Sequence, residues 1–481
     1  MSPNKFINRS DELRYLHDRY HSPISELIVI YGRRRVGKTE LLNRFIDGKP
    51  GLYLLATTEH ESQNITLFSR EMALFLDDPQ YSEISYPSFE SLFTSFTSHH
   101  TFRDRSQSDK IILIIDEFPY LIEKNRDIPS IFQRIWDLYL SKLPIMLILS
   151  GSSISIMEQE VMGYHSPLFG RRTGQWQVDP LSFSHLTEFL PYNNADLARV
   201  WFVAGGVPAY LNLFDPKIDF WENVVRLFFE KGSYLYIEAE LLLQYEFREA
   251  GNYLTILKAI AQGNTTMGEI INSIGLDRSM VSKYLSILIR LHMVREELPV
   301  TSSPNARKRH YRITDQYLSF WFRFIYPERT AIESRQGKNA WDRLENDFSR
   351  YCGQRFEDLT EHLIREQLLL SDIPLGTFGR WWHKETEIDL VGLHEGTNTL
   401  LCVECKWSDL SEQEALMILR DLKVKSKQIL WRNDTRTDIF ALMGRTIQGK
   451  RALCDQGYRV YDLDDLPLSK GGCHDHPGLY T

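Results

Sequence analysis

The chain has 481 residues, of which 43% are hydrophobic and 25% charged, a composition typical of globular proteins and a length that favours about three domains. Its formal net charge of −8 excludes a surface that attracts nucleic acid as a whole, so any such contact must come from a local basic patch. The lack of an apolar stretch of roughly 20 residues and of a signal-peptide core, together with five scattered cysteines, predicts a cytoplasmic protein with no membrane partner.

Residues 1–181 alternate short apolar runs with amphipathic stretches. Near-continuous apolar strands separated by helices are typical of a parallel sheet that is buried on both faces. The fold class predicted for this segment is therefore α/β with a parallel sheet. The apolar runs lie at residues 27–31, 52–56, 111–115 and 145–149.

The first apolar run leads directly into a glycine-rich loop, residues 32–39, with the pattern G-x-x-x-x-G-K-T between a strand and a helix. The glycines Gly32 and Gly37 let backbone N–H groups curl around phosphate oxygens, and the following helix turns its positive dipole end toward them. We expect Lys38 to reach the β- and γ-phosphates of ATP and Thr39 to offer its hydroxyl to Mg²⁺. A chance turn with a lysine is the alternative, but it does not explain the strand–loop–helix context.

Two further strands end in polar side chains. The run at 111–115 delivers Asp116 and Glu117 to its tip, where Asp116 can hold the Mg²⁺ shell and Glu117 can orient or deprotonate the attacking water. The run at 145–149 is followed by serines that include Ser152, which are suited to sensing the γ-phosphate, although a Ser-rich turn is the alternative. Together with the loop, these residues predict a hydrolysing ATP site.

The first part of the chain resembles the archaeal and bacterial P-loop ATPases related to the AAA+ and STAND classes. The resemblance implies that Asn8 and Arg9 lie near the adenine and that a helical lid, residues 182–250, covers the nucleotide. It also implies that Arg171 or Arg172 serves as an arginine finger, in the same chain or in a neighbouring copy of a homo-oligomer. A solvated loop or a carboxylate clamp is the alternative for this arginine pair. The matching motifs are Phe6-Ile-Asn8-Arg9, residues 31–39, Asp116-Glu117-Phe118, Gly151-Ser152-Ser153, Phe169-Gly170-Arg171-Arg172-Thr173 and Gly205-Gly206-Val207-Pro208.

The residues predicted to bind the nucleotide come from the N-terminus, the glycine-rich loop and the serine turn. They are Asn8, Arg9, Gly32, Arg33, Arg34, Arg35, Val36, Gly37, Lys38, Thr39, Glu40 and Ser152.

Residues 251–326 are predicted to form three helices followed by two strands, an order that resembles a winged helix-turn-helix. In that fold the last helix enters the major groove of DNA and the loop between the strands touches phosphates. The alternative is a small packing domain whose basic loop is solvated. Residues 327–338, which are polar and poor in large apolar side chains, are predicted to be a linker. The candidate nucleic-acid contacts are Arg278, Ser282 and Lys283 on the helix and Arg307, Lys308 and Arg309 in the loop.

Residues 340–466 contain two neighbouring strands that carry acidic side chains. A short hairpin can bring Asp389 on the first strand beside Glu404 on the second, with Lys406 on the same face as Glu404. Two carboxylates and a lysine could bind Mg²⁺ and activate water for attack on a phosphodiester. The alternative is the exposed face of a half-buried hairpin.

This pattern resembles the PD-(D/E)XK nuclease superfamily, with Glu357 on the preceding helix as a further metal ligand. Ile388 stands where the family pattern has proline. The resemblance implies a Mg²⁺-dependent nuclease, although the fold could be retained without activity. The expected partner is nucleic acid, with DNA favoured over RNA and the choice between them left open. The competing hypothesis is a nucleotide-dependent switch that binds DNA or a protein partner through an inactive docking domain. Convergence of Asp389, Glu404 and Lys406 in the structure would favour the nuclease.

Overall fold

The computed structural model of the chain describes residues 6–247, 249–303, 306 and 309–466. The chain divides into two units, residues 1–180 and 181–481. Across the described ranges, no helix is both long enough and apolar enough to cross a membrane.

The first unit is built on a five-stranded sheet in the order β2-β3-β4-β1-β5, in which every pair of neighbours is parallel. This confirms the predicted α/β fold with a parallel sheet. The strands are β1 Glu26–Tyr31, β2 Gly51–Leu55, β3 Ile111–Asp116, β4 Ile145–Gly151 and β5 Gly174–Gln177. The helices are α1 Ser10–Tyr20, α2 Lys38–Ile46, α3 Glu61–Leu76, α4 Phe89–Ser98, α5 His100–Ser108, α6 Phe118–Lys124, α7 Ile128–Leu138 and α8 Ile154–Ile156.

The strands in the middle of this sheet are fully buried because their side chains are almost all aliphatic. Every residue of β1, β3 and β4 is buried. Because all strands run in the same direction, their carboxyl ends meet at one edge of the sheet, where loops present polar side chains. That edge carries the glycine-rich loop after β1, the acidic pair at the end of β3 and the serines at the end of β4.

The second unit begins with helices and continues into two smaller sheets. Its helices are α9 Asn194–Ala204, α10 Pro208–Leu211, α11 Phe220–Val224, α12 Tyr234–Glu246, α13 Ala250–Ala261, α14 Met267–Ile274, α15 Arg278–Arg290, α16 Gln316–Phe320, α17 Arg329–Glu333, α18 Gly337–Arg343, α19 Glu345–Arg365, α20 Glu412–Lys425 and α21 Lys450–Asp455. Its strands are β6 Val294–Glu297, β7 His310–Ile313, β8 Thr377–His383, β9 Thr386–His394, β10 Thr399–Leu410, β11 Thr437–Ile447 and β12 Arg459–Tyr461.

Helices α13, α14 and α15 are followed by the antiparallel pair β6–β7. Local signals in the sequence set the helix boundaries. Thr266 and Glu269 form a reciprocal capping box at the start of α14, and Gly275 ends that helix with φ 71°. Asp277 then caps α15 by accepting from the backbone of Ser279 and Met280.

The C-terminal sheet has the order β12-β11-β10-β9-β8 and is mixed, with β8, β9 and β10 antiparallel and β10, β11 and β12 parallel. Cys402 of β10 packs in a core with Leu419 and Leu422 of α20. On the other face Cys405 contacts Thr360 of α19. A helix therefore covers each face of β10, and the acidic strands lie between them.

The segment predicted to be a linker, residues 327–338, is helical over most of its length and carries buried side chains. Ile332 of α17 is fully buried, and Gly337, which begins α18, is also buried. A Cβ atom on Gly337 would lie 1.8 Å from the carbonyl oxygen of Phe229. The linker prediction is wrong because few but well-placed apolar side chains fix these short helices.

Gly337→Ala should destabilise the protein by about 2 kcal/mol or more, because the new methyl group overlaps a backbone carbonyl that cannot rotate away. Gly353→Ala is the matched control, since Gly353 lies within α19 and, apart from its chain neighbours and the backbone of its own helix, no heavy atom of the described residues lies within 4 Å of its Cβ position. Alanine there should stabilise the helix by about 0.5–1 kcal/mol. Urea midpoints followed by circular dichroism compare the two variants, and equal midpoints would contradict the close packing at residue 337.

Candidate functional site

The glycine-rich loop forms a concave turn between β1 and α2. Arg35 and Gly37 adopt left-handed backbone conformations with φ 71° and 96°. Gly32 lies so close to the neighbouring chain that a Cβ atom would be 2.4 Å from the carbonyl oxygen of Val178. The loop delivers the first N–H groups of α2 to its concave side, and such an arrangement suits a phosphate group.

Lys38 folds back over this loop. Its side chain is 5% exposed, and Nζ donates to the carbonyl oxygens of Gly32 at 2.8 Å and Arg33 at 3.1 Å. The ammonium group is thus held at the loop by backbone oxygens. A phosphate would be a stronger, charge-assisted partner for it.

Thr39 and Asp116 meet at the carboxyl edge of the sheet, as their predicted role in holding Mg²⁺ requires. Thr39 Oγ1 donates to Asp116 Oδ2 at 3.0 Å, and the Tyr53 hydroxyl donates to the same oxygen. Burial and the charge of Asp116 raise the pKa of Tyr53 well above its usual value, so the phenol stays protonated. Tyr53 was missed by sequence analysis, because only the pairing of Leu55 with Asp116 in neighbouring strands brings it there.

Glu117 follows directly and is held by the serine turn after β4. Its backbone is left-handed, with φ 52°. Ser152 Oγ donates to Glu117 Oε1 at 2.6 Å, and the Ser152 backbone N–H lies 3.4 Å from Oε2. The sequence predicts that Ser152 senses the γ-phosphate. In the structure its hydroxyl contacts Glu117, the candidate catalytic base.

Arg9 and Asn8, expected near the adenine, differ in their surroundings. Arg9 is 6% exposed and donates to the carbonyl oxygens of Val36 at 2.6 Å and Asp179 at 2.8 Å. Arg9 thereby connects the glycine-rich loop, at Val36, to the segment that follows β5, at Asp179. The side chain of Asn8 is exposed, and its Oδ1 accepts from the Ser10 backbone at 3.4 Å.

The remaining candidates around the loop lie at its rim. Arg34 donates to the hydroxyl of Tyr120 at 2.6 Å, Arg33 and Arg35 are half-buried, and Glu40 is exposed on α2.

The two arginines proposed as an arginine finger have partners within the first unit. Arg171 makes a forked contact with Asp137, with Nη2 at 3.0 Å and Nε at 3.2 Å from Oδ2. Arg172 stacks on the ring of Phe169, its Cζ 5.3 Å from the ring centroid. Arg171 thus has the geometry of the carboxylate clamp that was the alternative, and its role as a finger stays a prediction.

The C-terminal sheet brings Asp389, Glu404 and Lys406 together. Pairing of Leu390 with Val403 places Asp389 across from Glu404 at the end of the β9–β10 ladder. Lys406 Nζ lies 2.9 Å from Glu404 Oε1 and 3.9 Å from Asp389 Oδ2.

The carboxylates of Asp389 and Glu404 are both largely shielded from water. Burial, followed by the negative charges of Glu357 and Glu404, raises the pKa of Asp389 to about 7. Glu404 is 5% exposed, and its Oε2 has no hydrogen-bond partner in the described structure. A buried carboxylate oxygen without a partner is costly, and a divalent cation would satisfy it. The donor set therefore fits Mg²⁺.

Glu357, expected as a further metal ligand, is paired with an arginine instead. Its Oε2 accepts a hydrogen bond from the guanidinium of Arg380 on β8. Within the part of the chain that the structure describes, no three His, Cys, Asp or Glu side chains converge as a metal-holding group. Glu357 is close enough to influence Asp389 electrostatically, but the two acids on β9 and β10 are the ones that meet.

Lys425 is a member of this site that sequence analysis missed. Its Nζ, on the last turn of α20, lies 3.4 Å from Glu404 Oε1. The charges of Glu404 and Asp421 raise the pKa of Lys425 although its burial lowers it. Only the packing of α20 on β10 could reveal this contact.

The candidate DNA contacts are divided between an exposed helix face and a packed hairpin. Arg278, Ser282 and Lys283 are all exposed on α15. Arg309 instead pairs with Glu296 at 2.6 Å across the hairpin, and Arg307 and Lys308 lie outside the described residues.

The segment that follows β6 packs along the C-terminal sheet. The Val300 N–H donates to the carbonyl oxygen of Arg380 at 2.9 Å, and Trp381 Nε1 donates to Thr301 Oγ1 at 3.1 Å. The hairpin is thereby attached to β8.

Comparisons with known proteins fit this architecture. A family described as an ATPase domain predominantly from Archaea matches residues 6–214, and one described as archaeal and bacterial proteins of unknown function matches residues 321–418. The uncharacterized protein MJECL04 of Methanocaldococcus jannaschii is 36% identical over 96% of this chain and 100% of its own length. The uncharacterized ATP-binding protein MJ0423 of the same organism is 46% identical over 9% of this chain and 75% of its own.

Among solved structures, the Walker-type ATPase PABY2304 of Pyrococcus abyssi is similar with a TM-score of 0.52 and 20% identity. The match covers 66% of this chain and 96% of that one. At this identity the likeness concerns the fold.

Proposed function

The chain belongs to the family of ATPases found predominantly in Archaea, and from this premise we propose that its first unit hydrolyses ATP. The observation that carries the proposal is the meeting of Thr39, Asp116 and Glu117 beside the glycine-rich loop. A passive nucleotide pocket would need the loop alone. A half-buried carboxylate that Ser152 holds beside the glycine-rich loop is suited to orienting or deprotonating the attacking water.

Each residue has a distinct task in this proposal. Lys38 neutralises the β- and γ-phosphates, and Thr39 with Asp116 would hold Mg²⁺, which when bound stabilises charge on the transferred phosphoryl group. Glu117 orients or deprotonates the attacking water, and Ser152 fixes the direction of its carboxylate.

Release of inorganic phosphate from ATP in the presence of Mg²⁺ tests this function. Purified protein that binds ATP but releases no phosphate above the Lys38→Ala variant would refute it.

We propose further that the C-terminal sheet cleaves phosphodiester bonds in the manner of PD-(D/E)XK nucleases. The convergence of Asp389, Glu404 and Lys406 supports this, as does a buried Glu404 oxygen that lacks a partner. The chain order also agrees, with a helix, three antiparallel strands, a second helix and a parallel strand. A docking module would have no reason to bury two carboxylates beside each other.

In this site Asp389 and Glu404 would hold Mg²⁺, which supplies Lewis-acid activation of water and of the phosphate when it is bound. Lys406 stands beside both carboxylates, where it can steer the nucleophile or stabilise developing charge. Incubation with DNA and RNA substrates in Mg²⁺ and in EDTA tests the proposal, and intact substrate of both kinds would refute it.

DNA binding through α15 is the third element of the proposal. The exposed face of this helix carries Arg278, Ser282 and Lys283, and it follows a helix and a glycine turn as in helix-turn-helix proteins. Such a face contacts phosphates and base edges in the major groove.

Lys283→Glu should weaken binding of duplex DNA about fivefold or more. It should also reduce, by about one, the magnitude of the slope of log affinity plotted against log salt concentration. Fluorescence anisotropy of labelled DNA at several salt concentrations measures both. Lys217→Glu is the control, because Lys217 is an exposed lysine in the same unit but outside this helix. Equal loss of affinity in both variants would indicate bulk charge and contradict recognition by α15.

A second candidate function is a nucleotide-dependent switch without cleavage. It is favoured by the partly buried ion pairs that fasten the β6–β7 hairpin to α19, including Arg295 with Asp358 at 3.0 Å and with Glu361 at 3.0 Å. If cleavage is absent while DNA affinity changes between ATP and ADP, the switch replaces the nuclease.

A further inference from the structure

A small cavity of about 190 Å³ lies between α13, β7 and α19 in the second unit. This is the volume of roughly six water molecules at about 30 Å³ each, and it is below the roughly 300 Å³ of a typical drug-sized pocket. The cavity is therefore suited to a compact ligand. Its polar lining consists of Thr265, Arg312, Ser319, Arg323, Gln354 and Arg355.

Among the residues that the structure describes, three arginines and no carboxylate line the cavity. Two of these arginines form ion pairs with acids that do not line the cavity. Arg312 pairs with Glu297 at 2.9 Å, and Arg355 pairs with Asp358 at 3.1 Å. Arg323 makes no ion pair with any described residue. The cavity therefore has a surplus of positive charge.

Arg355 provides an independent indication of a ligand. It is only 7% exposed, and its Nε has no hydrogen-bond partner in the described structure. Leaving a buried guanidinium donor without an acceptor is unfavourable, and an anion bound against Arg355, which lines the cavity, would offset this cost through its charge. The neighbouring Ser319 and Gln354 can add neutral hydrogen-bond donors to an oxyanion.

We propose that this arginine-lined cavity binds a phosphate group. The planar guanidinium group can donate two parallel, charge-assisted hydrogen bonds to phosphate oxygens. The ammonium group of a lysine lacks this planar geometry. The ligand is either free phosphate or a phosphate of a nucleic-acid backbone, since the chemistry of recognition is the same. The site is separate from the glycine-rich loop and from the two acids on β9 and β10, and the proposal does not depend on either activity.

Two substitutions at the cavity test this without disturbing buried ion pairs. Arg323→Gln removes a positive charge that has no acid partner among the described residues, and Gln354→Glu adds a negative charge at an exposed position with almost no change of shape. The matched controls are Arg350→Gln and Gln413→Glu, both at exposed positions outside the cavity. All four are made in the full chain with Lys38→Ala, so that phosphate binding at the glycine-rich loop is weakened equally.

Calorimetric titration with inorganic phosphate and with pyrophosphate forms the first arm. We expect saturable binding in the two control variants and at least tenfold weaker binding in Arg323→Gln and Gln354→Glu, as for loss of a charge-assisted hydrogen bond. Binding of labelled duplex DNA, with phosphate as competitor, forms the second arm.

The two arms distinguish the source of the phosphate group. If both cavity variants weaken DNA binding and phosphate competes with DNA, the ligand is a backbone phosphate. If only phosphate or pyrophosphate binding falls, the ligand is a free anion. If phosphate, pyrophosphate and DNA all bind to the cavity variants as they bind to the controls, or bind to none of the proteins, the proposal is wrong.

Discussion

Glu117→Gln should lower the rate of ATP hydrolysis by about two to four orders of magnitude while leaving the affinity for ATP within a few fold. The amide keeps the size of the carboxylate and can still contact Ser152, which lies 2.6 Å from Glu117 Oε1, but it cannot accept a proton from water. The loss therefore falls on the chemical step. Phosphate release and nucleotide binding are measured on the same preparation.

Two further variants make this result specific. Lys38→Ala should lose both tight binding and hydrolysis, because the ammonium group that the loop holds would no longer meet the phosphates. Glu123→Gln is the matched control, since Glu123 is an exposed glutamate in the same unit. If Glu117→Gln hydrolyses ATP as fast as Glu123→Gln, Glu117 is not the catalytic base.

Asp389→Asn should abolish Mg²⁺-dependent cleavage of nucleic acid, by on the order of a thousandfold or more, and leave ATP hydrolysis unchanged. The amide removes one of the two negative charges that would hold the metal. In nucleotide-free protein, Mg²⁺ should also raise the melting temperature of the wild type and not that of the variant, because a ligand stabilises only the state that binds it.

The control for this series is Asp372→Asn, which changes an aspartate that is 55% exposed and whose ion-pair partner among the described residues is Arg459. Glu404→Gln is expected to behave like Asp389→Asn, since both carboxylates face Lys406. Cleavage that persists undiminished in both site variants would come from a contaminating nuclease and not from this protein.

The parts of the structure that could be predicted from the sequence are those specified by local signals. The strand–loop–helix around residues 32–39 and the central strands were predictable because their apolar runs leave no other place than a buried parallel sheet. Strand β5 was not predicted, because its sequence Gly-Gln-Trp-Gln has no apolar run. It forms at the outer side of β1, where polar side chains are tolerated.

The remaining contacts depend on tertiary packing and have no local signature. Arg380 meets Glu357 across 23 positions and Lys425 meets Glu404 across 21, and each contact exists only because a helix packs on the C-terminal sheet. The order of the motifs along the chain indicated which acids could meet. It could not indicate that an arginine would pair with Glu357.

The hydrogen bond between Val300 and Arg380 affects which fragments of the second unit should stay soluble when produced alone. Strand β8 is the outermost strand of its sheet, and an uncovered outer strand offers free N–H and C=O groups to other molecules. The Val300 N–H donates to one of its carbonyl oxygens, and the Val300 side chain packs against the core of the same sheet. A fragment that starts after this segment would expose the strand and should aggregate, so the shortest well-behaved piece of the second unit begins before β6.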